Sequence, residues 1–168
     1  MLNALSQSAQ RLMAMNDEVW ARHANPVSGW SRVSILPLFA IAVWSRVWID
    51  WWALVPVGAV LIWTWLNPRL FSSPASTDNW MSQGVLGEHV WLSRGKECVL
   101  AHHGPVIRNL TISTAAGVVM LLIGLVVLNV ALTTTGLAVA MLSKLWILDR
   151  MVWVYSEVDD GEGLASLE

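Results

Sequence analysis

The 168-residue sequence is poor in charge and in cysteine. Only 13% of its residues are charged, against about 25% in a typical soluble domain, whereas 55% are hydrophobic. A soluble domain of this size exposes too much of its surface to water to hide so many apolar side chains. The single cysteine, Cys98, excludes an internal disulfide framework. Because a lipid-facing surface resolves the conflict, we expect an integral membrane protein that forms one domain over residues 1–168.

Motifs of the well-known enzyme classes are also missing from the sequence. It contains no P-loop, no GxGxxG, no HExxH and no Ser-His-Asp order, and four histidines are too few for the His boxes of membrane di-iron enzymes. The formal net charge of −2 gives no reason to expect a nucleic-acid partner. No cofactor is therefore predicted, and whether the chain is an enzyme stays open.

Tryptophan is the residue that the sequence has in excess. There are 12 Trp, against 2 Phe and 1 Tyr. An indole has an apolar body and one N–H donor, so it favours the interface between membrane and water. The alternative is a set of core tryptophans in a soluble bundle, but several of them cluster where apolar runs end: Trp44, Trp48, Trp51, Trp52, Trp63 and Trp65.

Four apolar runs predict an all-α membrane protein with four transmembrane helices arranged as two hairpins. The first hairpin covers residues 31–66 and turns near Arg46 and Asp50, where charge among tryptophans costs little. Its two runs are only about 15–18 residues long, while a full span needs about 20. The second hairpin covers residues 110–155, with a tight turn at residues 133–136.

The remaining segments are predicted to lie at the cytoplasmic surface. Residues 1–30 form an interfacial segment with a short amphipathic helix, residues 67–109 form a loop, and residues 156–168 form an acidic tail that we expect to fray. Lys and Arg concentrate in the first two segments, so the positive-inside rule places both termini and the loop in the cytoplasm. The expected location is the bacterial inner membrane, without a cleavable signal peptide.

The loop motif EHVWLSRGKECVLAHH, residues 88–103, predicts a β-hairpin that turns at residues 95–96. In that register a glutamate and three histidines oppose one another at the open end, within reach of each other. Imidazole and carboxylate groups are ligands for zinc, iron or copper. The alternative is an interfacial hairpin with surface histidines. The candidate metal ligands are Glu88, His89, His102 and His103.

Charges inside the last apolar run are further candidates for chemistry. Such a charge costs about 2.5–3.5 kcal/mol on insertion scales, so it needs a partner or a wet cavity. We expect Asp149 to pair with an arginine, so that the polar stretch HANPVSGWSR closes a polar pocket over the last helix. Structural pairing with another helix is the alternative. The catalytic candidates are His23, Asp78, Lys144, Asp149 and Arg150, and the lipid-headgroup candidates, which are also the possible partners of Asp149, are Arg22, Arg32 and Arg69.

Four stretches, DEVWARHANPVSGWSR, WLNPRLF, STDNWMSQGVLGE and LSKLWILDRMVWVY, resemble a family of small, Trp-rich prokaryotic membrane proteins known only as a domain of unknown function. The resemblance covers roughly residues 15–156. It implies a membrane protein and brings no activity with it.

Two classes of function are therefore compatible with the sequence. The first is a non-enzymatic accessory or scaffold component of a membrane complex, or a lipid-binding protein. The second is a small membrane enzyme or transporter with a polar or metal site at the level of the cytoplasmic headgroups. The short hairpins, the many tryptophans and the small polar loops favour the first class. The expected partners are the lipid bilayer and other membrane protein subunits.

Overall fold

Helices form almost all of the computed structural model, which describes residues 22–94 and 98–165. No strand occurs in these two ranges, so the prediction of an all-helical fold is confirmed. The predicted amphipathic helix near the N-terminus lies outside the described residues. The α-helices are α1 (Pro26–Val33), α2 (Ile35–Trp44), α3 (Arg46–Ile49), α4 (Leu54–Leu70), α5 (Trp80–Arg94), α6 (Gly104–Val127) and α7 (Val130–Ala165), and 3-10 turns cover Asp50–Ala53 and Cys98–His103.

Within residues 22–94 and 98–165, three helical segments are long and apolar enough to cross a membrane: Pro26–Asn67, Ala101–Val127 and Val130–Asp159. The predicted count of four spanning helices is not matched, because the first segment is a broken stretch rather than two full spans. It reverses at Asp50, whose backbone has a positive φ of 49°, and α4 then packs against α2. At 1.5 Å per residue, the ten residues of α2 extend only about 15 Å, half of a hydrocarbon core.

The predicted β-hairpin over residues 88–103 is wrong. Its first half belongs to α5, its second half forms a 3-10 turn, and residues 95–97, which hold the predicted turn, lie outside the described residues. The Asn79 side chain caps α5 by accepting a hydrogen bond from the Ser82 backbone N–H at 2.9 Å. Along its length α5 packs on α7 and buries Met81 and Val85. Tertiary packing thus overrides the local turn signal.

Helices α6 and α7 form a long antiparallel pair. Their turn lies at Leu128, which has a φ of 53°, and at Asn129, whose side chain caps α7 through the Leu132 N–H at 2.9 Å. The tight turn predicted at residues 133–136 is therefore wrong. The hydroxyl of Thr133 instead donates to the Asn129 carbonyl at 2.8 Å inside the helix, as a threonine can do without breaking it.

An arginine joins the two helical hairpins at the end where both reverse direction, near Asp50 and Leu128. The Arg46 guanidinium donates to the carbonyl oxygens of Leu125 and Val126, the second at 2.9 Å. These carbonyls belong to the last turn of α6, where no following N–H is available inside the helix and the negative end of the helix dipole favours a cation. Arg46 therefore fastens the first hairpin to the second.

The last helix extends further than the sequence indicated. We expected an acidic tail to fray from Ser156, but α7 continues to Ala165, and only residues 166–168 fall outside the described part of this segment. Close packing fixes α7 to both of its neighbours. A Cβ on Gly117 of α6 would lie 2.6 Å from the backbone nitrogen of Ala140, so the two helices approach at the distance that only glycine allows.

The packing of α5 on α7 predicts a marked effect of substituting Gly87. A Cβ at this position would overlap the backbone carbonyl of Met151, which cannot move without shifting α7. We expect Gly87→Ala to lower the free energy of unfolding by about 1–3 kcal/mol, the usual loss on overpacking. Thermal unfolding of the purified protein in detergent measures the effect.

Gly58 of α4 provides the matched control, because a Cβ there meets nothing within 4 Å. Gly58→Ala should leave stability unchanged or raise it by about 0.5–1 kcal/mol through helix propensity. Equal melting temperatures for Gly87→Ala and the wild-type protein would show that α5 does not pack on α7 in this way.

Candidate functional site

The stretch HANPVSGWSR contains the start of α1. The Asn25 side chain caps this helix by accepting hydrogen bonds from the backbone N–H groups of Val27 at 2.9 Å and Ser28 at 3.4 Å. Pro26 occupies the first turn, where its missing N–H has no partner to lose. The Asn25 amide also donates to the Ser72 carbonyl at 3.0 Å. The Asn-Pro pair therefore fixes where α1 begins.

Buried polar contacts hold α1 against its neighbours. The Ser28 hydroxyl donates to Asn67 Oδ1 at 2.8 Å, and Asn67 Nδ2 donates to the Ser31 hydroxyl at 2.7 Å. On the side of α5, the Ser82 hydroxyl donates to the Ala24 carbonyl at 2.6 Å. Ser28, Asn67 and Ser82 are completely buried, so these hydrogen bonds are costly to break. The orientation of α1 is thus specified by α4 and α5 together.

A cavity of about 280 Å³ lies between α1, α5 and α7. Its polar lining is made of four side chains that come from three separate parts of the chain: His23, Arg32, Glu88 and Lys144. The rest of its wall is largely apolar and includes Met81, Val85 and Leu148. We call this cavity the polar pocket.

Lys144 and Glu88 form an ion pair in the polar pocket. The ammonium Nζ of Lys144 lies 3.1 Å from Glu88 Oε1, with the side chains 53% and 30% exposed. The nearby charge of Lys144 lowers the pKa of the Glu88 carboxyl from its ordinary value. Burial of the carboxyl acts in the opposite direction but is the smaller effect. Glu88 is therefore ionised at neutral pH, and the deep cation of α7 has its counter-charge on α5.

His23 is kept neutral by its surroundings. The Arg32 guanidinium contacts both ring nitrogens of His23 and donates to its backbone carbonyl at 2.9 Å. Burial, and next the positive charge of Arg32, lower the pKa of His23 from 6.5 to about 3. The imidazole that the sequence left unexplained thus faces the polar pocket as an uncharged group.

The predicted partner of Asp149 is wrong. Its carboxylate accepts a hydrogen bond from the Trp80 indole at 3.1 Å rather than from an arginine, while Arg32 lies on His23. The Trp80 ring in turn stacks on Trp30 of α1, with centroids 5.8 Å apart. The indole thus gives the exposed Asp149 carboxylate a neutral hydrogen-bond partner on α5. The N-terminal stretch does lie over the last helix, but the charges that it meets there are those of Glu88 and Lys144.

The other catalytic and headgroup candidates lie apart from the polar pocket. Asp78 accepts a hydrogen bond from Gln83 at 3.5 Å in the exposed turn before α5. Arg22 and Arg69 line a separate surface hollow, and the Arg69 guanidinium lies 4.2 Å above the Trp65 ring. The Nε atom of Arg150 is buried, with no hydrogen-bond partner among the described residues.

The four candidate metal ligands divide between two places. Glu88 belongs to the polar pocket, and His89 follows it on α5. His102 and His103 lie instead beside Glu157 of α7, with their Nε2 atoms 3.3 and 3.1 Å from its two oxygens. Sequence reasoning missed Glu157 because it assigned that residue to a frayed tail. The lack of any Gly or Pro between residues 137 and 160, which leaves nothing to end the helix at Ser156, was the signal that could have placed it.

Comparisons with known proteins identify a family and no activity. The family model described as "Family of unknown function (DUF6653)" matches residues 4–167, nearly the whole chain. No curated protein and no solved structure matches the chain. The predicted resemblance to a family of unknown function is confirmed.

Acidification is expected to destabilise the protein through His23. The pKa of His23 is about 3 in the folded chain and 6.5 as an ordinary value, so between these values the unfolded chain binds more protons. The contribution of the neutral His23 to the free energy of unfolding is full above pH 6.5. It is lost as the pH falls toward 3, by at most about 1.4 kcal/mol per pH unit. Unfolding of wild-type and His23→Gln proteins from about pH 7.5 to about pH 4.5 measures it.

In that window the His23→Gln protein should lose less stability than the wild-type protein. The lowered pKa of Glu88 acts in the same direction, but only below its ordinary value of 4.5. His89→Gln is the matched control, because His89 does not line the polar pocket, and it should keep the wild-type slope. Identical pH dependence in the wild-type and His23→Gln proteins would contradict the neutral histidine.

Proposed function

The chain belongs to this family of unknown function, and since membership assigns no activity, we propose from the geometry that it is a non-enzymatic integral membrane protein that binds anionic lipid headgroups in the polar pocket. The observation that carries the proposal is the meeting of Arg32, Lys144 and Glu88 around one cavity beneath α1. Three arguments support it: the charge balance of the pocket, its apolar walls, and its size.

The charge balance of the polar pocket favours an anion. Arg32 and Lys144 are cations, Glu88 is a carboxylate with a lowered pKa, and His23 is neutral at physiological pH. The sum is one positive charge, which suits a phosphodiester monoanion. Arg32 has five N–H donors and uses only part of them on His23, so the remaining donors can reach a phosphate oxygen, and Lys144 supplies a compact point charge.

The walls and position of the polar pocket favour a headgroup that is attached to an apolar chain. Met81, Val85 and Leu148 line it, and Lys144 lies in the candidate spanning segment Val130–Asp159. At about 280 Å³ the cavity falls near the lower limit of small-molecule sites, about 300–1,000 Å³, so it can hold a headgroup but not a whole lipid. The acyl chains would lie along the exposed apolar helices.

A location in the bacterial inner membrane, with the polar pocket toward the cytoplasm, is part of the proposal. Both helix reversals, at Asp50 and at Leu128, lie at the end where Arg46 joins the two hairpins. Most other cations lie before the first spanning segment or between residues 67 and 109, which by the positive-inside rule should remain in the cytoplasm. A role as an accessory subunit is compatible with headgroup binding, and other membrane proteins are then further partners.

A small membrane enzyme or transporter is the second candidate function. The observation that favours it is the cluster of His102, His103 and Glu157, because imidazole and carboxylate groups together can hold a catalytic metal ion. This cluster shares no residue with the polar pocket.

Reporter fusions test the orientation. Fusions after Arg94 and at the C-terminus should both report a cytoplasmic location, because positively charged segments stay on that side. Fusions at Asp50 and at Asn129, in the two reversals, should report the periplasm. A periplasmic signal from the fusion after Arg94 would overturn the orientation and would remove the polar pocket from the cytoplasmic face.

Lipid titrations test the ligand. Addition of phosphatidylglycerol to the delipidated protein in a neutral detergent should raise its melting temperature, and phosphatidylcholine should raise it less. Binding at about 100 times the dissociation constant would stabilise the folded chain by about 2.7 kcal/mol. The effect should be lost in Arg32→Gln and in the double variant Glu88→Gln/Lys144→Met, which removes both partners of the ion pair together.

Arg69→Gln is the matched control, because it removes one positive charge from a residue that lies on Trp65 outside the polar pocket. It should respond to phosphatidylglycerol like the wild-type protein. If Arg69→Gln lowers the response as much as Arg32→Gln does, the lipid binds to general surface charge, and the polar pocket is not its site.

A further inference from the structure

We propose that His102, His103 and Glu157 form a binding site for a divalent transition-metal ion, with zinc as the ion that their chemistry suits best. Two imidazoles and one carboxylate are a common set of protein ligands for zinc at sites that leave the fourth position of the ion for water or another ligand. The inference is independent of the proposed lipid site, since none of the three side chains lines the polar pocket.

The spacing of the three side chains fits a single ion. One ligand atom from each residue lies within 4.8 Å of the others. The Nε2 atoms of His102 and His103 are 3.3 and 3.1 Å from the carboxylate oxygens of Glu157. In a tetrahedral zinc site with bonds of about 2.0–2.1 Å, neighbouring ligand atoms are separated by about 3.3 Å. Each of the two nitrogen–oxygen distances, measured to different oxygens of Glu157, is close to this edge length, and small shifts of the side chains would place all three around one ion.

The burial of His103 is the second observation that points to an ion. Its side chain is only 2% exposed, and neither ring nitrogen has a hydrogen-bond partner of acceptable geometry among the described residues. A neutral imidazole always carries one lone pair on a ring nitrogen, and a buried lone pair without a donor is costly. Coordination of a cation by the lone pair of Nε2, the nitrogen that faces Glu157, removes this part of the cost, while Nδ1 carries the proton.

The fold brings these ligands together from distant parts of the sequence. His102 and His103 end the 3-10 turn that leads into α6, and their rings lie 4.0 Å apart. Glu157 comes from the last turns of α7, beside the start of α6. Because α6 and α7 are packed along their length, the carboxylate is held opposite the two imidazoles before an ion arrives. With both imidazoles neutral, the set carries one negative charge, which favours a divalent cation.

The experiment is a direct metal titration of the full chain. The protein is purified without a polyhistidine tag, treated with a chelator and titrated in detergent with Co²⁺, whose visible absorption reports its ligand geometry. We expect one equivalent to bind with the absorption of a four- or five-coordinate site, and Zn²⁺ to displace it. His103→Ala and Glu157→Gln should each weaken binding by at least about 100-fold, because even supporting residues of metal sites contribute about 10–100-fold.

Two further measurements separate lost ligands from lost folding. Glu157→Gln keeps the shape of the side chain, and its helical circular dichroism and gel-filtration elution should equal those of the wild-type protein. His89→Ala removes a histidine from α5 instead and should bind Co²⁺ like the wild-type protein. The proposal is overturned if the wild-type protein binds no stoichiometric Co²⁺ or Zn²⁺, if a folded Glu157→Gln or His103→Ala protein retains wild-type affinity, or if His89→Ala loses it.

Discussion

The arrangement of α1, α5 and α7 around the polar pocket depends on the positive charge of Lys144. Lys144 lies inside a helical segment apolar enough to cross a membrane, where an ammonium group without a partner is costly. Glu88 meets it at 3.1 Å, and because Glu88 lies on α5, the ion pair requires α5 to stay against α7. Through the hydrogen bond from Ser82 to Ala24, α5 in turn holds the chain just before α1. The lining of the polar pocket follows from this sequence of contacts.

The ion pair between Glu88 and Lys144 also helps to fix how α5 lies along α7. Gly84 and Gly87 let α5 approach α7 closely, so packing already disfavours neighbouring registers of α5 on α7, in which larger residues would replace them. A single acid facing a single base distinguishes those registers, since a shift of one turn separates the charges. Both side chains remain partly exposed, so the pair contributes more to specifying the arrangement than to its stability.

Helices and apolar segments were predictable from the sequence, because long apolar runs have few alternatives in lipid or in a protein core. The need of Lys144 for a partner was predictable as well. The identity of that partner was not, since Glu88 was assigned to a strand from a turn signal at residues 95–96. The helix over residues 80–94 is stabilised by its packing on α7. The contacting residues are distant in the sequence, since Glu88 and Lys144 are 56 positions apart.

The candidate sites show the same limit at the level of single residues. His23 and Arg32 could be assigned to a pocket over the last helix, because turn residues and charges next to an apolar run suggest an interface. The carboxylate that faces the pocket could not be identified, and Asp149 was chosen instead of Glu88. His102 and His103 were recognisable as adjacent imidazoles, whereas Glu157 is 54 residues beyond His103 and has no local motif. Local patterns identified the groups with unusual chemistry but not their partners.

Arg46 has a consequence for the order in which the chain is assembled. Its carbonyl acceptors on α6 lie 79 and 80 residues later in the sequence, so they do not yet exist when the first hairpin leaves the ribosome. Until α6 is synthesised, the guanidinium must be solvated by groups other than these carbonyls. The first hairpin is therefore an incomplete unit when it is made, and the carboxyl end of α6 completes it by supplying the two carbonyl acceptors. The first hairpin therefore cannot finish folding until the second hairpin has been synthesised.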